Sequence, residues 1–201
     1  MTEPEAQKLL ERIMDALVSE QAAVEGPLSC IGSSAALLNV LHDLGYNTAY
    51  ALAVEVKILN PVATQSAERA GWVPGAAQPK EGSCCVCLGT EGAEVGSDNW
   101  PGHLVVVLPN FFGARHILLD PTIMQANKPG TGINLPPILA TVRDDFTSGA
   151  KVRKLTANGC AVIYKARPDD LSYKQGGYWD RLRAGSPVSD RVLYLLRTSA
   201  S

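Results

Sequence analysis

The chain has almost no excess of charge of either sign: 18 Lys and Arg stand against 20 Asp and Glu, a formal net charge of −2. Without a basic surplus there is no electrostatic footprint for nucleic acid or for an anionic lipid surface, and neither is expected as a partner. No apolar run approaches the roughly 20 residues that cross a bilayer. The opening stretch, MTEPEAQKLLERIMDALVSEQ, has no basic leader, apolar segment or cleavage site, so no secretory signal is expected. NKPGTGINLPP (127–137) contains glycine but lacks the lysine and Ser/Thr of a phosphate-binding loop, which sets nucleotide binding aside. Histidine is scarce, at three residues, which confines any imidazole chemistry to His42, His103 and His116.

Five cysteines, an odd number, point to reduced thiols and a cytoplasmic setting. Hydrophobic residues make up 46% and charged residues 19% of 201 residues, a balance suited to a globular chain. That length suits one domain spanning 1–201, with a core over about 22–125 and further strands and loops over 126–201 completing its sheet.

Thr2 and Glu5 match a capping box, and Leu9, Leu10, Ile13, Met14 and Leu17 recur at helical spacing, predicting a helix from about Pro4 to Glu20. After a Gly26–Pro27 turn, a second helix begins near Cys30 with Ala35, Leu37, Leu38, Leu41 and Leu44 on a broad apolar face. Gly45 is its stop. TAYALAVEVKI (48–58), GHLVVVLPN, RHILLDPT and CAVIYKA (160–166) carry the β-formers of strands, with FFGA as a hairpin turn. Residues 60–98 form a long excursion without sustained period. VSDRVLYLLR fits a helix or a strand. Helices first and strands afterwards predict an α+β fold with an antiparallel sheet.

Cys30 heads a helix, where partial positive charge favours thiolate and free N–H groups can receive an oxyanion. His103 starts one strand and Asp120 ends the next, so a hairpin about PNFFGA brings them to one end of paired strands. A carboxylate there fixes the imidazole tautomer, and the imidazole can take the thiol proton. The three residues have the chemistry of nucleophile, base and orienting acid.

The cysteine-headed helix CIGSSAALLNVLHDLGYNTAYALAVEV, with GHLVVVL and HILLDPT, resembles the transglutaminase-like cysteine superfamily, which includes peptidases, amidases and the related arylamine N-acetyltransferases. The resemblance covers roughly Ala22 to Thr122. It implies a papain-like fold and a Cys–His–Asp triad in that chain order, carried by Cys30, His103 and Asp120. The LDPT ending resembles the transglutaminase-like branch. The chain departs from the pattern in its long Cys30–His103 spacing, in Leu104 where an aromatic often follows the histidine, and in having no glutamine at the papain-like distance. Gln21, Asn99 and Trp100 are the candidates for substrate or oxyanion contacts.

The implied activity is acyl transfer through a thioester on Cys30, acting on a small-molecule or peptide amide, with no cofactor. The alternatives are transfer from a thioester acyl donor to an amine and an inactive module that binds a peptide or partner. SCCVCLG gathers Cys84, Cys85 and Cys87, with Cys160 as a possible fourth thiolate. C-C-x-C spacing is a weak zinc pattern, so no metal is expected and the cluster is read as small buried apolar residues, Cys85 and Cys87 on one strand face and Cys84 on the other. Trp100, Tyr178 and Trp179 are candidates for a pocket lining or for core.

Overall fold

The structure, a computed structural model, describes residues 2–24, 29–73, 80–89, 100–112 and 115–198. Helix α1 (Glu3–Val24) begins as the capping box predicts, with the Thr2 N–H donating to Glu5 Oε2 at 2.6 Å. Its Leu10, Ile13, Met14 and Leu17 are all buried. Helix α2 (Cys30–Asp43) is buried on nearly every side, from Cys30 through Leu38 and at Val40 and Leu41. A helix apolar or small all round belongs inside a protein rather than on its surface. Accordingly α2 lies between the sheet and helices α1, α5 (Tyr178–Ala184) and α6 (Pro187–Thr198).

Among the described residues seven strands form one sheet: β1 (Tyr50–Leu59), β2 (Cys85–Leu88), β3 (His103–Phe112), β4 (Arg115–Asp120), β5 (Ile138–Val142), β6 (Val152–Ala157) and β7 (Cys160–Ala166). The order is β5-β4-β3-β1-β7-β6, with β2 also on β1, and every pairing is antiparallel. Strand β1 is the hub. Its first half, Tyr50–Val54, pairs β3, and its second half, Val56–Leu59, pairs β2 along with β7.

Period-two alternation gives the sheet two buried faces. Ala53, Leu104, Val106, Leu108, Ile117 and Leu119 meet the helices. Leu52, Val54, Val56, Ile58, Val105, Val107, Leu118 and Val162 line the other face, around which the sheet curls into a nearly closed barrel. Ile123, Ile133, Leu135 and Phe146 fill that interior. The fold is α+β, as expected.

Several elements differ from expectation. Within the 60–98 excursion, Pro61–Arg69 form helix α3, whose cap Asn60 accepts the Ala63 N–H at 3.0 Å. Nine residues are too few to display a helical period, and the cap with proline at the first position was the legible signal. Cys85–Leu88 form β2; β5 and β6 are among the further strands expected over 126–201, where the sequence pattern places only CAVIYKA, while the short helix α4 (Asp144–Thr147) and α5 were not anticipated. VSDRVLYLLR lies wholly within helix α6. The expected burial of the cysteine cluster is corrected: Cys85 and Cys87 are exposed and Cys84 is half-buried, whereas Cys160 is buried. The reason is that β2 turns Val86 and Leu88 toward the second core and its thiol face outward. Among the described residues no helix is long and apolar enough to cross a membrane.

Leu41 is fully buried in α2, whereas Leu195 of α6 is 36% exposed. Leu41→Ala should lower unfolding free energy by about 2–5 kcal/mol through lost burial and cavity formation. Leu195→Ala should stay within about 0.5–1 kcal/mol. Urea denaturation of both variants checks the contrast.

Candidate active site

In the β3–β4 hairpin Val106 pairs Leu119 and Val107 pairs Leu118. Continued by one step, that register sets Asp120 opposite Val105, which puts His103 diagonally next to it on the barrel-interior face. The side chains meet there: His103 Nε2 lies 2.9 Å from Asp120 Oδ2, with the two groups 1% and 0% exposed. An ionised carboxylate only accepts, so Nε2 carries the proton and Nδ1 is the ring nitrogen left for another partner.

Asp120 has further donors. The Tyr164 hydroxyl, reaching from β7, donates to the same Oδ2 at 2.8 Å. The Thr122 N–H donates to Oδ1 at 3.1 Å, and the Thr122 hydroxyl stands 3.4 Å away. Burial alone would lower the His103 pKa, but the charge and hydrogen bond of Asp120 override it, and with a contribution from Cys30 it is pushed up to about 10. Tyr164 is held well above its ordinary value by burial and by the Asp120 charge.

Cys30 is the first residue of α2. Ser29 caps the helix by accepting the Gly32 N–H at 3.1 Å, and the N–H groups of Cys30 and Ile31 have no acceptor within the helix. The residue is 5% exposed, and its Sγ lies 3.8 Å from the carbonyl oxygen of Gly102, the residue before His103. Gly102 is required by a close approach, since a Cβ there would sit 2.0 Å from the Trp100 indole. Gly89, at φ +71, lies against the His103 main chain: a Cβ would come 2.3 Å from the Val54 carbonyl oxygen and 2.8 Å from the His103 backbone nitrogen.

The structure therefore brings Cys30, His103 and Asp120 together. Trp100 stacks against Gly102, donates its Nε1–H to Ser172 Oγ at 2.9 Å and is nearly buried in an edge-to-face series with Tyr173 and Trp179. Tyr178 is exposed. Gln21 is buried, and its Oε1 accepts the Ser33 hydroxyl, one turn along α2 from Cys30. Asn99 lies outside the described residues. Tyr164 and Thr122 were missed in the sequence. The available signal was a tyrosine alternating with the inward Val162 and Ala166, because a hydroxyl on a core face needs a partner.

The other histidines have different surroundings. His116 accepts the Asn110 N–H on Nδ1 at 3.0 Å and donates from Nε2 to the exposed Asp144 at 2.6 Å. His42 donates to the Ala49 carbonyl at 3.2 Å and accepts from Arg183 at 3.0 Å, joining α2 to α5. Neither combines a buried carboxylate with a thiol. Among the described residues no three His, Cys, Asp or Glu are grouped to hold a metal ion.

Because the His103 pKa is raised above its unfolded value of about 6.5, its contribution to stability is complete below that pH. The contribution is lost as pH climbs through about 10. The stability gap between wild type and His103→Gln should therefore narrow across this window, as measured by urea unfolding at successive pH values. Tyr164→Phe removes a donor from Asp120, leaving more carboxylate charge for the imidazolium. It should move the His103 titration further upward in NMR spectra.

Comparison with known proteins returned no match, whether to a family model, to a curated protein or to a solved structure.

Proposed function

We propose that this protein is a cysteine-dependent acyl-transfer enzyme of transglutaminase-like, papain-like architecture acting on amide bonds. The observation that carries this reading is the buried Asp120–His103 pair beside a thiol at a helix N-terminus. Burial matters because hydrogen bonds and charges in a water-poor site are stronger than on a surface.

In the proposed reaction Cys30 and His103 stand as a thiolate and an imidazolium, the Sγ proton residing on His103 Nδ1 and the ring held in place by Asp120. The thiolate attacks the amide carbonyl carbon, and the π electrons move onto oxygen. The N–H groups of Cys30 and Ile31, which lack intrahelical acceptors, receive that oxyanion. Collapse reforms the carbonyl and breaks the C–N bond as His103 gives its proton to the leaving amine. The acyl group is then a thioester on Cys30. Water or an amine gives a proton to His103 and attacks the thioester carbon. Collapse breaks the C–S bond and releases the acid or the new amide, leaving the proton on the Cys30–His103 pair. Water makes the enzyme a peptidase or amidase, and an amine makes it a transamidase. Throughout, Asp120 stays ionised and Tyr164 and Thr122 hold it as positioning residues.

The test is iodoacetamide labelling followed by peptide mapping across pH, on wild type, His103→Ala and Asp120→Ala. Cys30 should label fast at neutral pH in wild type, and His103→Ala should slow that labelling to the rate of an ordinary thiol. Amide hydrolysis or amine incorporation, screened on peptide and small-molecule amides, should fail in all Cys30 and His103 variants. A Cys30 that labels no faster in wild type than in His103→Ala would overturn the proposal.

A further inference from the structure

Strand β2 carries two thiols outside the site described above. Cys85 and Cys87 share its outward face and both are exposed, because Val86 and Leu88 take the positions facing the second core. On the neighbouring strand Lys57 stands opposite Cys87, and Leu59 stands opposite Cys85.

Strand geometry decides what such a pair can do. Same-face residues two apart on an extended strand are separated by about 6.6 Å, and their Cα–Cβ bonds run side by side. A disulfide requires Cβ atoms about 3.5–4.5 Å apart, so closing one would bend β2 away from β1. A metal ion bridging the two sulfurs spans the gap without moving the backbone. Soft thiolate ligands select Cu(I) over hard cations, and a two-thiolate set suits a low-coordinate closed-shell ion.

We propose that Cys85 and Cys87 form a surface two-thiolate site for a soft closed-shell monovalent cation of the Cu(I) type. The outward face leaves both sulfurs open to an ion from solvent, and its binding displaces their protons. Cys30 and Cys160 are buried in the two cores, and Cys84 is half-buried just before the strand.

The experiment is an anaerobic titration of Cu(I) into the reduced full chain against bicinchoninate, with loss of the coloured chelate as readout. Wild type should withdraw one equivalent, and Cys30→Ser and Cys84→Ser should do the same. Cys85→Ser and Cys87→Ser should leave the metal with the chelator while keeping the wild-type circular dichroism. Bound Cu(I) should also shield Cys85 and Cys87, but not Cys84, from maleimide in mapped peptides. Failure of wild type to withdraw the ion would overturn the site, as would uptake that survives in the Cys85→Ser/Cys87→Ser double variant. A requirement for Cys84, or ready closure of Cys85 and Cys87 to a disulfide in air with the fold intact, would equally overturn it. Retention in Cys30→Ser separates the outcome from that of the acyl-transfer reading.

Discussion

A carboxylate with no solvent exposure is the constraint on which the rest of the site depends. Asp120 sits at the end of β4 inside the curled sheet, where an isolated charge would cost several kcal/mol. Its two oxygens accept from three residues on different parts of the chain: His103 and Tyr164 on Oδ2, and Thr122 on Oδ1. Each donor is itself buried, so removing one leaves a polar group uncompensated in a place that water does not reach. The same charge keeps His103 protonated far above the ordinary histidine range. Stability and imidazole chemistry are thus coupled through one group.

The second requirement is that a thiol reach this pair, and helix α2 meets it through small residues. Beyond Ile31 come Gly32, Ser33, Ser34, Ala35 and Ala36, and all are buried. Short side chains let the helix axis come close to the sheet, and Ser34 Oγ donates to the Leu104 carbonyl at 3.1 Å. Ser33 ties the same turn to Gln21 of α1, and Asn39 donates to the Leu182 carbonyl at 3.0 Å at the α5 side. Held on three sides, α2 presents Cys30 over the beginning of β3. The tryptophan that folds onto Gly102 is fixed in turn by Ser172, so the segment leading into His103 is anchored by the C-terminal part of the chain.

Strand β1 explains how two unlike surfaces coexist on one sheet. Its first half supports β3 and hence His103, while its second half supports β2 and the outward thiols. Gly89, just beyond β2, presses on Val54 and His103 where these halves meet. The space admits no Cβ, and the positive φ suits only glycine without strain.

By itself the sequence determined the two long helices, the central strands and the α+β class, because apolar spacing over many residues reports which face is buried. It also marked Cys30, His103 and Asp120, since a helix start, a strand start and a strand end are local features. Short elements such as α3, β2 and β6 carry too few residues to show a period, and their formation was decided by neighbours in space. Only the tertiary structure joined Tyr164 to Asp120, because Tyr164 arrives from β7 across β1 and β3, 44 residues along the chain. It likewise decided that Cys85 and Cys87 face outward, since alternation states that two residues share a face but not which face the core covers.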